Sequence, residues 1–240
     1  MTGIPEKLSA QGVRIGASIP MAGARKMLAE HMVRSHSSIP AVTVMEEWDV
    51  QALADIKARF ATSGDTDSPQ VSYTHILIKM VARALREHPF LNATLAGDEI
   101  QLLEEINIGM AVALPDGSLV VPVIREADRK DIGAIAGEAQ ELTERARAGK
   151  LRLTDVRGAT FTLTNVGIVA NSRWQTPLVP YSQCAILATG AIREAAVVRG
   201  GSLAVGRVMS ASLTFDHRIV SGLPANLFMR SVAGLLAGGL

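Results

Sequence analysis

Residues 208–222 read VMSASLTFDHRIVSG and form the most informative stretch of the chain. The part that ends at Phe215 is typical of a strand, and Ser221-Gly222 precedes an apolar run that predicts a final helix. A histidine at such a junction can place its imidazole in a cleft, because segments next to rigid elements often carry function. His217 is therefore a candidate functional residue. Two simpler alternatives are a surface pair with Asp216 and a histidine satisfied inside the core.

The overall composition favours a folded protein that binds neither nucleic acid nor membrane. Of the 240 residues, 48% are hydrophobic and 20% are charged, which is enough to bury a sizeable core. The 24 Lys and Arg residues nearly balance the 23 Asp and Glu residues, and aromatic residues make up only 4%. Nucleic-acid binders usually carry a basic excess or stacking aromatics. No stretch reaches the ~18 apolar residues of a membrane helix, and the N-terminus lacks a signal-peptide layout, so we expect a cytoplasmic protein.

The cysteine and histidine patterns argue against a metal site. Cys184, the single cysteine, lies in the apolar run 184–188 and is predicted to be a buried small hydrophobe in a reducing compartment. His31 and His36 are five residues apart and therefore do not share the i,i+4 face that a helical metal pair needs. His75 and His88 lie near the ends of a predicted helix, where capping or surface roles suffice.

The hydrophobic pattern predicts one α/β (α+β, two-layer) domain with a mixed sheet. Residues 1–20 are typical of a linker or extended arm, and residues 62–70 are typical of a polar loop. No glycine-rich loop of the nucleotide-binding type is present. The predicted helices are 24–39, 50–60, 73–88 with Ser72 as its cap, 131–148, and a last one after Gly222. The predicted strands are 41–45, 106–114 and 119–124 around the turn 115–118, then 159–164, 184–191, 194–199 and 204–215.

Several motifs in the right order resemble one family. Asp216-His-Arg-Ile-Val-Ser-Gly222 is similar to the His-x-x-x-Asp-Gly signature of dihydrolipoamide acyltransferases, the core component of 2-oxo-acid dehydrogenase complexes. Their catalytic domain shares its fold with chloramphenicol acetyltransferase. The resemblance covers about residues 17–238 and implies a linker or arm at 1–16 and a trimeric catalytic domain at 17–240. Its other motifs are PMAGARK at 20–26, PFLN at 89–92, NIGMAV at 107–112, PDGSLVVP at 115–122 and GATFTLTN at 158–165.

The resemblance implies roles for particular side chains. His217 would be the base that takes the thiol proton of coenzyme A or dihydrolipoamide, a task that suits a group titrating near neutral pH. Thr164 stands where the family has a hydroxyl that stabilises the oxyanion, with Asn165 as a supporting residue. From its segment alone, Thr164 could equally be an ordinary strand residue. In this family the site lies between subunits, so His217 and Thr164 should come from different chains.

Ser221 is a departure from the family pattern, because this position usually holds Asp, or sometimes Asn. In the chloramphenicol enzyme that Asp pairs with an Arg that corresponds to Arg25 here. Serine cannot form the ion pair, so we expect Ser221 to bond Arg25 directly or through water, or another carboxylate to replace it. The expectation assumes a buried arginine, which would be costly without a partner.

The resemblance therefore implies acyl transfer between coenzyme A and a dihydrolipoyl group, with branched-chain acyl groups slightly favoured over acetyl. That preference depends on a general likeness at 165–167 and 182–186. The expected partners are further copies of the chain in a trimer or larger cubic core, a lipoyl domain that this chain lacks, and the decarboxylase and dihydrolipoamide dehydrogenase components. We expect the excised core of a longer protein, with a core-only homologue as the alternative. The alternatives are a structural core with impaired catalysis and a free-standing acyltransferase that uses coenzyme A.

Overall fold

The computed structural model describes residues 7–61, 69–168 and 171–238. Its helices are α1 (Gly23–Ser38), α2 (Gln51–Ala61), α3 (Tyr73–Glu87), α4 (Ile132–Arg147), α5 (Leu153–Val156) and α6 (Gly222–Gly238). Its strands are β1 (Ala41–Asp49), β2 (Ala93–Ala96), β3 (Glu99–Leu102), β4 (Ile108–Met110), β5 (Val112–Ala113), β6 (Leu119–Val120), β7 (Val123–Ile124), β8 (Phe161–Asn165), β9 (Ala185–Thr189), β10 (Arg193–Arg199) and β11 (Ser202–Asp216).

The central sheet has the order β1-β11-β9-β8-β4-β7, and β10 pairs with the first half of β11. The strands β4, β8 and β9 run parallel to one another, and the pairs on either side of them are antiparallel. This arrangement confirms the predicted mixed sheet. Two small hairpins, β2-β3 and β5-β6, lie outside it.

The two faces of the sheet differ in chemistry because side chains alternate along each strand. Leu163, Leu187 and Leu213 are opposite one another on one face, where they join a single apolar core with α2, α3, α4 and α6. The alternate positions on these strands carry hydroxyl groups that lie on the other face. One of these residues, Ser212, is opposite Ala188. Segment 171–183 covers part of this polar face, and the Gln175 backbone N–H donates to Ser212 Oγ at 3.4 Å.

Local signals explain the helix ends. Ser72 caps α3 as predicted, and the helix ends at Glu87, two residues before Pro89. Asp131 Oδ1 accepts a hydrogen bond from the Ala134 backbone at 2.7 Å and so begins α4, in which Ile132, Ile135 and Leu142 are buried. Cys184 is buried, as predicted, and burial raises the pKa of its thiol to about 12.

Several strand predictions needed correction. The strand predicted at 119–124 is two short strands, of which β6 belongs to the hairpin with β5 and β7 belongs to the central sheet. The strand predicted at 41–45 continues to Asp49, since its whole length pairs with β11. The predicted strand 106–114 is broken at Ala111, whose N–H donates to Leu163 O while the chain passes from the main sheet to the β5-β6 hairpin. The hairpin β2-β3 was missed, although β3 alternates polar and apolar residues; the strand is only four residues long and all of its side chains are exposed. The sequence signal for this hairpin is Gly97, which lies in the turn between the two strands and has a φ of +60°.

The N-terminal segment and α1 leave apolar side chains in solvent. Leu8 and Arg14 form an isolated bridge, and Ile19 and Met27 are 75% and 70% exposed. The predicted loop at 62–70 falls mostly outside the described residues, as do residues 1–6 of the predicted arm. In the described part of the chain, no helix is both long and apolar enough to span a bilayer.

Candidate active site

His217 follows the last residue of β11 and is held by its backbone. Its N–H donates to Pro40 O at 3.1 Å, just before β1 begins, so the ladder between the two strands fixes its position. The imidazole stacks on the buried ring of Phe215, with 6.0 Å between the ring centroids and 28° between the planes. His217 is exposed in the single chain, so the alternative of a core histidine is wrong and the imidazole can meet a substrate or another subunit.

The residues on either side of His217 in sequence, Asp216 and Arg218, form an ion pair with each other. The buried carboxylate of Asp216 accepts from Arg218 Nε at 3.0 and 3.1 Å and from Nη2 at 2.6 Å. The hydrogen bond to Asp216 raises the pKa of Arg218 above its ordinary value. Backbone N–H groups of Ile219 and Val220 donate to Asp216 O and close the turn. Asp216 therefore shapes the loop that carries His217, and its ion-pair partner is Arg218.

Ser221 and Arg25 are both exposed in the chain. Among the described residues, no hydrogen bond or contact joins them. The premise of a buried arginine is therefore wrong for the single chain, because water can solvate the guanidinium. A contact between Ser221 and Arg25 within an assembly stays a prediction.

Thr164 is the next-to-last residue of β8 and lies opposite Ala188 of β9. By alternation it faces the polar side of the sheet, whereas Asn165 faces α3. Asn165 Nδ2 donates to Thr74 Oγ1 at 3.2 Å, and Asn165 Oδ1 accepts from the Gly167 backbone at 3.1 Å. Asn165 therefore ties the end of β8 to the start of α3 and positions the backbone beside Thr164.

A cavity of about 300 Å³ lies beside Thr164 and Asn165. Its remaining walls come from the first turn of α3, the last turn of α4 and the chain around β5 and β6. The apolar lining residues are Met110, Ala111, Val112, Ala113, Leu119, Val166 and Ile168, and the polar ones are Ser72, Thr74, His75, Thr143, Thr164, Asn165 and Arg147. Such a mixture suits an aliphatic ligand that carries a few polar groups.

His75 is the residue in this cavity that the sequence interpretation undervalued. Its capping role is confirmed, because its Nδ1 accepts from the Ser72 backbone at 3.2 Å while Ser72 Oγ accepts from the His75 backbone at 3.3 Å. Burial lowers the pKa of His75 from 6.5 to about 4. A capping box normally has Glu or Gln at this position. A histidine three residues after a predicted Ser cap is therefore unusual, and the sequence alone could have drawn attention to it.

Thr164 and His217 are far apart within one chain. Thr164 is paired with Ala188 on the neighbouring strand β9, and Ala188 is paired with Ser212 on the next strand, β11. With neighbouring strands about 4.8 Å apart and a rise of about 3.3 Å per residue, His217 lies roughly 15–20 Å from Thr164. A hydroxyl and an imidazole that act on one reacting bond must both be within hydrogen-bonding reach of it. The two residues of one chain therefore do not form a single catalytic centre.

In the ranges 7–61, 69–168 and 171–238, no group of three or more His, Cys, Asp or Glu side chains is arranged to hold a metal ion.

Comparison with known proteins gives a consistent result. Residues 15–238 match the family model described as 2-oxoacid dehydrogenases acyltransferase (catalytic domain). The chain is 36% identical over 218 residues to the dihydrolipoyllysine-residue acetyltransferase component of the pyruvate dehydrogenase complex of Bacillus subtilis (strain 168). That alignment covers 90% of this chain and 49% of the relative, so the chain spans about half the length of the curated relatives it matches.

Solved structures agree on the fold. The dihydrolipoamide acetyltransferase of Azotobacter vinelandii superposes with a TM-score of 0.89 at 30% identity, covering 99% of this chain and 97% of that chain. The cubic core of a pyruvate dehydrogenase multienzyme complex gives 0.89 at 31% identity, with the same coverage. Chloramphenicol acetyltransferase, at 16% identity, gives 0.55 over 91% of this chain and 98% of that chain and confirms the predicted fold class.

Proposed function

Because this chain belongs to the family of 2-oxoacid dehydrogenase acyltransferase catalytic domains, we propose that it transfers an acyl group between coenzyme A and a dihydrolipoyl group. The observation that carries the proposal is the position of His217. Its backbone is anchored to Pro40, its ring rests on Phe215, and its imidazole is exposed. The related Azotobacter vinelandii enzyme was studied for the catalytic roles of one serine, one histidine and one asparagine.

In the proposed reaction, one nitrogen of His217 accepts the proton of the attacking thiol. The sulfur forms a bond to the carbonyl carbon of the thioester on the other partner. The resulting tetrahedral intermediate then collapses as the original carbon–sulfur bond breaks, and the departing sulfur takes the proton back from the imidazolium. A base that titrates near neutral pH can both accept and return the proton.

Thr164 is the proposed donor to the oxyanion of the tetrahedral intermediate. A hydroxyl placed at the developing charge lowers the barrier, because its dipole needs no reorganisation during the reaction. Asn165 supports this role by fixing the backbone at the end of β8 through its bond to Thr74. The Thr164 that serves a given His217 belongs to another copy of the chain, since the two residues of one chain are too far apart.

The proposed assembly is a trimer in which each site uses two neighbouring chains. Its support is the exposed apolar surface of the N-terminal segment and α1, where Ile19, Met21 and Met27 are 60–75% exposed. Apolar side chains clustered in solvent often mark a protein interface. A larger cubic core, a lipoyl domain and the other two enzyme components remain proposed partners by family membership.

The acyl group is proposed to be acetyl. The similar curated relatives are acetyltransferases of pyruvate dehydrogenase complexes, and the branched-chain preference expected from the sequence gains no support from them. A direct comparison of acyl donors is therefore needed.

A structural core without turnover is the second candidate, and Ser221 motivates it. The turn that carries His217 is nevertheless held by the Asp216–Arg218 ion pair, so Ser221 is not needed to position the base.

The test is an assay of acetyl-, isobutyryl- and isovaleryl-CoA with dihydrolipoamide, run on the wild type and on His217→Ala. We expect turnover by the wild type, fastest with acetyl-CoA, and a loss of at least about 10²-fold in His217→Ala. Equal rates for the two proteins would remove His217 as the base. No turnover with any acyl-CoA would favour the structural core, and turnover only with small amines or alcohols would favour a free-standing acyltransferase.

A further inference from the structure

The β10-β11 hairpin carries an apolar face that its own chain leaves in solvent. Val198 is paired with Leu203, and Ala196 is paired with Val205, so these four side chains lie on the same face of the two strands. The three larger ones are 70–81% exposed, and Ala196 is exposed as well. The four residues are the hairpin patch. Apolar side chains clustered on one exposed face mark an interaction site.

The other face of the hairpin is turned toward its own chain. Arg193 and Arg199 lie on that face, and they form ion pairs with Glu47 and Asp49 at the end of β1. These pairs leave the hairpin patch pointing away from β1. A ribbon of two strands has little stability in water unless one of its faces packs against something. The hairpin patch therefore needs a partner outside its own chain.

A second apolar surface lies on the N-terminal segment and α1. It is the arm patch, and its residues are 52–75% exposed: Ile19, Met21, Met27, Leu28 and Val33. Helix α1 is attached to its own chain near its C-terminal end, where the Tyr181 backbone N–H donates to Ser35 Oγ at 2.9 Å and Arg34 lies 3.7 Å from the centroid of the Tyr181 ring. Helices in proteins draw most of their stability from packing of an apolar face, so the arm patch also calls for a partner.

A cyclic trimer needs two different surfaces on each chain. Its contacts are heterologous, which means that one surface of a copy meets another surface of the next copy and the ring closes. The hairpin patch and the arm patch are two such surfaces, and both are apolar. Neither surface has to meet its own equivalent, as it would in a twofold dimer.

The positions of the two patches along the chain agree with a site shared between copies. Helix α1 leads into Pro40, whose carbonyl accepts from the His217 backbone. The hairpin follows β9, in which Thr189 is paired with Asn165, the neighbour of Thr164. A contact between the patches joins the region that anchors His217 in one copy to the sheet end that carries Thr164 in the next copy.

We propose that the hairpin patch of each copy packs against the arm patch of the neighbouring copy. The inference rests on the proposed function, because it assumes the trimer, and it names the two surfaces that form the contact. Burial of the two patches against each other removes apolar surface from water, which drives association. Glu194 and Arg207 are paired on the same face of the hairpin and supply a polar rim at one end of the contact.

Aspartate substitutions on each patch test the contact. Leu203→Asp and Met27→Asp should each raise the dissociation constant of the trimer at least about tenfold, since a charge is costly to bury in an apolar contact. Sedimentation should then show a shift toward the 25.4 kDa of one chain. The matched control is Leu153→Asp, which changes a leucine of α5 that is 59% exposed and lies outside both patches. It should stay trimeric, and circular dichroism verifies that each variant is folded.

Cross-linking between two tagged chains tests which surfaces meet. Chains with Met27→Cys and chains with Leu203→Cys are co-expressed and treated with a short bismaleimide. Cys184 does not react, because it is buried and its thiol pKa is raised to about 12. We expect cross-linked dimers that contain both tags, and no cross-linked dimers from either variant alone.

A folded Leu203→Asp protein that stays as trimeric as Leu153→Asp would overturn the inference. Cross-linking by Leu203→Cys alone, or no cross-linking in trimers verified to contain both tags, would also overturn it. A wild type that is monomeric would instead refute the trimer of the proposed function. A trimer with this contact and no turnover with any acyl-CoA would support the inference and refute the proposed activity.

Discussion

Arg218 binds the carboxylate of Asp216 through both Nε and Nη2, although His217 lies between the two residues in sequence. The Asp216 side chain is 3% exposed, and the Arg218 side chain is 43% exposed. The pair therefore closes the turn over a buried anion and leaves the imidazole of His217 outside. Within one chain, this geometry holds the turn that carries His217, the proposed base.

Asp216→Asn should damage both stability and catalysis. The amide cannot form the charge-assisted bonds to Arg218, so we expect the free energy of unfolding to fall by about 2 kcal/mol. The turn that carries His217 would loosen, and kcat should fall as well. Urea denaturation and the acyltransferase assay measure the two effects.

Asp49→Asn is the matched control for this substitution, because the Asp49–Arg199 pair is exposed and should contribute less than about 1 kcal/mol. Equal losses in the two variants would show that the Asp216 pair has no special role.

Thr164→Val and Thr164→Ser separate a catalytic hydroxyl from an ordinary strand residue. Valine keeps the shape and removes the donor, so kcat should fall about 10²–10³-fold with little change in Tm. Serine keeps the hydroxyl and should retain most of the activity. Steady-state kinetics on both variants distinguish the two roles. A fully active Thr164→Val protein would mean that Thr164 is an ordinary strand residue with no catalytic hydroxyl.

Ser221→Asp should leave the enzyme active. The new carboxylate would lie at an exposed position near the start of α6, while Asp216 and Arg218 already hold the turn. We expect kcat to stay within about threefold of the wild type, in line with surface substitutions away from structural pairs. A folded but inactive variant, verified by circular dichroism, would mean that Ser221 contributes something a carboxylate cannot replace.

Acid sensitivity should depend on His75. Its pKa is about 4 in the folded chain and near 6.5 when unfolded, so the unfolded state binds a proton first as the pH falls. The free energy of unfolding is therefore expected to decrease as the pH falls from about 6.5 to about 4. Below about pH 4, His75 is protonated in both states and causes no further decrease. His75→Gln should lose less over the same window. Urea midpoints at pH 7 and pH 5 test this, and parallel losses in the two proteins would contradict it.

The parts of the fold that depend on local chemistry were predictable from the sequence. Helix α3 combines a Ser72 cap, an apolar stripe and a terminal Pro89, and each signal acts within a few residues. The mixed sheet followed from long apolar strands between helices. The break at Ala111 could not be predicted, because it depends on a hydrogen bond to Leu163, which is distant in sequence.

The site shows the same division. His217 and Thr164 could be named because they lie in motifs, and Asn165 because it follows Thr164. The pairing of Arg218 with Asp216 was missed, since nothing in the local pattern favours Arg218 over His217 as the partner. The place of His75 in a cavity required the register between β8 and α3, which the Asn165–Thr74 bond fixes.

The central claim is that His217 and Thr164 act from different chains, and a mixed assembly tests it most directly. Chains with His217→Ala and chains with Thr164→Ala, each nearly inactive alone, are co-expressed with different tags and purified together. Random mixing into cyclic trimers restores one intact site in each mixed trimer, so the population should recover about a quarter of wild-type activity. Activity no higher than that of the separate variants, in assemblies verified to contain both tags, would contradict a site shared between subunits.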